Sequence, residues 1–231
     1  MNKRENKYAN KWVIVGALSI LTIAFAVFCI LTLTGVFSNL DATVHNRFAN
    51  WVNPLLTTFA RVFTFAGFFP LLIVVGLLIE LVNATRHKIG FQLSLAAGLG
   101  YTINHLFKLM FQRPRPDLAH MVTPTGLSFP SGHSTAAAAF FVSIIIFVIF
   151  NVKDATIYLP AIVVCVVMPF VVAFCRVYLG VHYMSDTITG IFLGTIVAIF
   201  VNLILWPLLN RKLKRFKRVH KFLFGKVSLQ I

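Results

Sequence analysis

Six long apolar runs divide this chain, and they constrain its fold more than any other feature. Residues 12–37 include no charged side chain, and a run of roughly 25 residues crosses the hydrocarbon layer with some tilt. It is too long for the apolar centre of a signal peptide and is followed by no small-residue cleavage site, so it is expected to remain as the first helix. Further runs cover residues 61–82, where Pro70 is expected as a kink within the span, 91–110, 135–151, 157–174 and 187–209. Between the first two, residues 38–53 place Leu40, Val44, Phe48, Trp51 and Val52 at helical spacing opposite Asp41, His45 and Arg47. That pattern predicts an amphipathic helix lying in the interface with Trp51 at headgroup level. The composition agrees: 58% of residues are hydrophobic, 12% are charged and the mean hydropathy is +0.86, outside the range of soluble domains.

The expected fold class is therefore all-α, a polytopic membrane helix bundle with six transmembrane helices and one interfacial helix. It forms a single domain over residues 1–231 with a basic cytoplasmic tail at 210–231. The net charge of +15 reports topology and contact with anionic membrane lipids, with no nucleic acid partner implied. If the N-terminus is cytoplasmic, Arg47, Arg61, Lys108, Arg113, Arg115 and Arg176 fall on the other side. All the remaining Lys and Arg, of 21 in total, then lie inside. The positive-inside rule thus puts both termini in the cytoplasm. Three cysteines in apolar surroundings, Cys29, Cys165 and Cys175, imply no disulfide framework. Nothing in the sequence speaks to oligomeric state.

Six alternating spans bring Lys108, Arg115, His133, Arg176, His182 and Asp186 to one membrane face. Ionisable groups at the edge of a bilayer are costly and mark function. Lys108, Arg115 and Arg176 form a cation cluster that calls for an anion. Ser131 is a natural N-cap for the fourth helix, and Gly132 admits close backbone approach, so amide donors point to the same place. His182 and Asp186 stand four positions apart, where a carboxylate can hold one imidazole nitrogen and leave the other as nucleophile or base. As isolated features, PSGH could simply start a helix and the His/Asp pair could simply cap or pack. Together they describe phosphoryl transfer: attack by His182, proton donation by His133, and charge stabilisation by the cations. Two His and one Asp could also hold a divalent metal, but three fixed cations repel one, so neither metal nor other cofactor is expected.

The stretches KLMFQRPRP (108–116), PSGH (130–133) and CRVYLGVHYMSD (175–186) resemble the three-part signature of the type 2 phosphatidic acid phosphatase superfamily. That signature reads K-x6-R-P, P-S-G-H and S-R-x5-H-x3-D. The resemblance implies His182 as nucleophile, Asp186 as its orienting partner and His133 as general acid. It implies phosphate binding by Lys108, Arg115, Ser131, Gly132 and Arg176. Cys175 departs from the signature, standing where Ser is usual, and as a thiol it is a weaker donor. Arg113 and His105 match no required position and are read as structural or substrate-approach residues.

The expected activity is metal-independent removal of the terminal phosphate from a lipid phosphate or diphosphate. Phosphatidylglycerol phosphate, phosphatidic acid and undecaprenyl diphosphate are the candidate substrates. The site would lie at the outer face of what is expected to be a bacterial plasma membrane. A lipid transporter or flippase is the alternative, but no internal repeat or midplane charge supports it.

Overall fold

The computed structural model describes residues 3–82, 89–117, 121–123, 126–213 and 216; for residues 3–11 and 82 it describes the backbone alone. Nine α-helices run through them: α1 (Lys3–Leu33), α2 (Ser38–Ala49), α3 (Pro54–Phe63), α4 (Phe69–Val82), α5 (Ile89–Phe111), α6 (Gly132–Asn151), α7 (Ala155–Tyr178), α8 (Met184–Ile199) and α9 (Trp206–Leu213). Of the basic residues counted inside, Arg86, Lys88 and most of the tail lie outside the described residues.

Four helices are long and apolar enough to cross a membrane, or five if one bent pair forms a single span. The bent pair stands where a single helix kinked at Pro70 is expected over 61–82. Pro54–Gly67 and Phe69–Leu81 meet at 60°, joined through a 3-10 turn at Thr64–Gly67. The break falls ahead of Pro70, which sits in the first turn of α4, where its missing N–H costs nothing. The last span also differs from a regular helix. A π turn at Phe200–Leu205 separates α8 from α9, and within it the buried Asn202 donates to Ser143 Oγ at 2.7 Å.

Helix α6 is the centre of the bundle, packing most extensively on α8 and also on α5 and α7. Ala136, Ala137, Ala138 and Ala139 are all fully buried. Without a hydrophobic drive inside lipid, such small residues hold helices together by close van der Waals approach. On the facing helix, a Cβ at Gly190 would lie 2.7 Å from the Ser131 carbonyl, so only glycine lets α8 come this near the start of α6.

Helix α2 turns a mixed face inward, departing from the amphipathic reading: Phe48 packs against Phe174 and Tyr178 as an apolar face would, Arg47 is exposed, and two of the polar residues are buried. Asp41 and His45 are its buried residues, 2% and 5% exposed, while Leu40 is 48% exposed. Asp41 is drawn inward by a charged partner in the bundle, Arg113.

Candidate active site

The C-terminal end of α7 and the N-terminal end of α8 are joined by a tight turn. Gly180 takes φ +76° there, a left-handed conformation that favours glycine. The turn leaves Arg176 in the last turn of α7, beside the negative end of the helix dipole. It places His182, 1% exposed, just before α8. His182 and Asp186 therefore do not share a helix face as their spacing suggested. Asp186 lies in the first turn of α8 and accepts from the Tyr183 backbone N–H at 2.9 Å. Across that turn its Oδ2 lies 3.5 Å from His182 Nδ1.

Ser128 sits between these two groups. Its hydroxyl donates to Asp186 Oδ2 at 2.5 Å and lies 3.4 Å from His182 Nδ1. The other ring nitrogen, Nε2, faces Arg115 Nη1 at 3.4 Å. Arg115 is fixed by donating from Nη1 to the Val181 carbonyl at 2.7 Å and from Nε to Gly126 at 2.8 Å. Lys108 reaches the same loop from the end of α5, donating its ammonium to the carbonyls of Leu127 and Ser128. Arg176 donates to Thr64 Oγ1 at 3.2 Å, in the break between α3 and α4. Among the described residues, its buried Nε–H has no acceptor.

The start of α6 completes the cluster. Ser131 is the N-cap and accepts from the Ser134 amide at 3.4 Å, while its own amide donates to the Asp186 carbonyl at 3.0 Å. His133, half-buried at the second helical position, stacks its ring on Phe68 with centroids 6.3 Å apart. Asn104 of α5 donates at 3.1 Å to both the Pro130 carbonyl and Thr135 Oγ1, and its buried Oδ1 has no donor among the described residues. A Cβ at Gly132 would lie 3.3 Å from that oxygen. His105, by contrast, is exposed and lies beside Tyr101.

Sequence reasoning missed several members of this cluster. Arg113 was set aside, yet it donates to Asp186 Oδ1 at 2.5 Å and to Asp41 Oδ2 at 2.9 Å, with its guanidinium 4.3 Å over the Tyr183 ring. Asp41 in turn accepts from the amide and hydroxyl of Ser185, at 3.0 and 2.6 Å. Two signals pointed this way: the alternation in Arg113-Pro-Arg115-Pro, which sends both guanidiniums to one side of an extended strand, and an acid among only six in the chain. Ser128 and Thr64 had no comparable signal. Cys175 is fully buried in an apolar cluster with Ala60, Tyr178, Leu179 and Val181.

The electrostatics follow from burial and sign. Burial, and then the positive charges of Arg176, Arg115 and Lys108, hold His182 well below the ordinary histidine value of 6.5. Its imidazole is neutral at neutral pH and has a free lone pair. Burial opposes the charge of Arg113 too, but Asp186 and Asp41 outweigh it and raise its pKa. Arg115 is lowered by burial, with Asp186 offsetting part of the effect. A neutral imidazole with Nδ1 against a hydroxyl and carboxylate, and Nε2 beside a guanidinium, can act as a nucleophile toward an anionic centre.

Comparison with known proteins draws on both sequence and fold. Residues 89–209 match the PAP2 superfamily, a span that takes in Lys108 through Asp186 and leaves out Asp41 and Thr64. Phosphatidylglycerophosphatase B of Bacillus subtilis is 28% identical over 169 residues, 73% of this chain and 80% of that protein. Decaprenylphosphoryl-5-phosphoribose phosphatase of Mycobacterium tuberculosis is 36% identical over 118 residues, 47% of this chain and 59% of that protein. In fold, the chain is similar to the crystal structure of a transmembrane PAP2 type phosphatidylglycerolphosphate phosphatase from Bacillus subtilis. The TM-score is 0.71 at 25% identity, over 86% of this chain and 98% of that one. LpxE of Aquifex aeolicus shares the fold with a TM-score of 0.55 at 24% identity, over 70% of this chain and 94% of that one.

Proposed function

Because this chain belongs to the PAP2 superfamily and is a multi-pass membrane protein and a lipid phosphatase, we propose that it hydrolyses its substrate through a phosphohistidine at His182. The observation that carries this reading is the division of labour on the His182 ring. Nδ1 is occupied by Asp186 and Ser128 and Nε2 faces Arg115, so Nε2 is the atom that meets phosphorus. Arg115, Arg176 and Lys108, with Ser131 and Gly132 at the start of α6, bind the phosphoryl oxygens. The orphaned Nε–H of Arg176 supports a ligand of that kind, since a buried donor without an acceptor costs about 1–3 kcal/mol until one arrives.

The Nε2 lone pair forms a bond to phosphorus as the bond to the ester or anhydride oxygen breaks, and His133 delivers a proton to that oxygen. A water molecule, giving its proton to His133, then attacks the phosphohistidine. The N–P bond breaks, its electron pair returns to Nε2, and inorganic phosphate leaves. Asp186 holds the ring and stabilises the positive charge that develops on it. The fixed cations stabilise the equatorial oxygens without a metal ion.

Six spans with both termini in the cytoplasm put this site at the extracytoplasmic face. For α5 to be one of them, 23 residues are long enough, and its Gln92 and Asn104 are buried in the bundle rather than turned to lipid. The substrate is a lipid monophosphate or diphosphate, with phosphatidylglycerol phosphate foremost because the Bacillus subtilis phosphatase that this chain is similar to in both sequence and fold carries that activity in its name. Phosphatidic acid and undecaprenyl diphosphate are the other members of the class. The test is phosphate release by purified protein in excess EDTA from these three lipids, with His182→Ala as the control. Release that survives the chelator and is lost in the variant is expected; release abolished by EDTA, or undiminished in the variant, overturns the reading.

A further inference from the structure

We propose that Arg113 and Asp41 are positioning residues for the hydrolysis, a two-member brace that fixes the Asp186 carboxylate against His182. The proposal rests on the role given to Asp186 above. Asp186 is fully buried, and a buried carboxylate is stable only when its oxygens are paired. Ser128 and the Tyr183 amide both donate to Oδ2, the oxygen nearest His182. Oδ1 accepts from Arg113 Nη1 at 2.5 Å. Donors on one oxygen alone leave a carboxylate able to pivot about it, and a donor on the second oxygen fixes the plane. Arg113 therefore sets which way Oδ2 faces the imidazole.

The guanidinium is itself fixed at three points. Its second terminal nitrogen donates to Asp41 Oδ2 at 2.9 Å, its first to Ser185 Oγ at 2.8 Å, and its face covers Tyr183. Ser185 closes the ring by donating to Asp41 from both amide and hydroxyl. Asp41 comes from α2, so a helix outside the signature motifs is tied to the catalytic carboxylate through one side chain. The planar fork of arginine can serve two carboxylates at once, which a lysine cannot do.

A merely structural pair would hold α2 to the bundle and affect stability or substrate binding. A positioning pair acts on turnover through Asp186, and a double-mutant cycle separates the two. The experiment measures kcat and KM on phosphatidylglycerol phosphate in detergent micelles, with thermal midpoints, for Arg113→Gln, Arg113→Lys, Asp41→Asn, Asp186→Asn and both double variants with Asp186→Asn. We expect Arg113→Gln to lower kcat by about 10- to 100-fold with little change in KM. Arg113→Lys and the isosteric Asp41→Asn give smaller losses in the same direction. In the Asp186→Asn background neither Arg113→Gln nor Asp41→Asn lowers kcat further. Losses that multiply in the double variants, or effects confined to KM or thermal midpoint, overturn the proposal. If Arg113→Gln does not fold, the Asp41→Asn cycle decides by the same criterion. Full turnover by Asp186→Asn would instead overturn the role of Asp186 itself, and the brace with it.

Discussion

Arg115 and His182 meet at 3.4 Å, Nη1 to Nε2, while the same guanidinium nitrogen donates to the Val181 carbonyl one residue earlier. The cation is thereby locked beside the nitrogen assigned to attack phosphorus. Arg115→Ala is expected to lower kcat/KM by roughly 100- to 1,000-fold, the cost of removing a preorganised charge from a developing oxyanion. Arg115→Lys should recover only part of that, since a point charge cannot hold Val181 and Gly126 together with a phosphoryl oxygen. Steady-state kinetics on the preferred lipid check both.

The pH dependence of stability follows from His182. Its folded-state pKa lies below the ordinary 6.5 because of burial and the surrounding cations, so as pH falls the unfolded chain takes up the proton first. Its contribution to stability is complete above about pH 6.5 and is lost as pH falls toward the folded value. Thermal midpoints of wild type and His182→Gln, measured in one detergent from neutral pH to about pH 5, are the check. The wild type is expected to lose stability relative to the variant below about pH 6.5.

Gly67 makes the broken helix pair part of the site. A Cβ there would lie 2.6 Å from the His133 carbonyl oxygen and 2.7 Å from Val172 Cγ1. Gly67→Ala must push the start of α6 away, so it is expected to destabilise by roughly 1–3 kcal/mol and to lower kcat by moving His133. Chemical denaturation and kcat measured on the same preparation test the two effects together.

Cys175→Ser restores the residue usual in the signature and should leave turnover unchanged. The side chain packs among Ala60, Tyr178, Leu179 and Val181, in apolar surroundings. Burying a hydroxyl in that cluster is expected to lower the thermal midpoint slightly rather than raise activity. Parallel kinetics and melting curves distinguish these outcomes.

What the sequence revealed depended on the kind of signal. Long apolar runs located α1, α6 and α7 and the span beginning with α8, because crossing a bilayer demands length and hydropathy that local composition displays. The residues that meet at the cluster were legible through motif spacing. Ser128 and Thr64 were not, and Asp41 was marked only as one of six acids, because their partners lie far along the chain: 72 positions separate Asp41 from Arg113 and 112 separate Thr64 from Arg176. No periodicity records such a pairing. The face of α2 was misread for a related reason. Asp41 is drawn inward by a charge elsewhere in the bundle, beside the apolar Phe48, while Leu40 remains outside. The break at Phe68 had a local sign in Pro70, which cannot continue the i→i−4 ladder and ends a helix ahead of itself, whereas the 60° angle of the bend had none.

The most direct measurement of the central assignment is covalent trapping. Rapid acid-free quenching of enzyme with a lipid bearing a labelled terminal phosphate should leave label on the protein. The adduct should be acid-labile and alkali-stable, as a phosphoramidate is, and should map to the peptide holding His182. It should be absent from His182→Gln. Label on any other residue, or phosphate release by His182→Gln at the wild-type rate, would contradict the account.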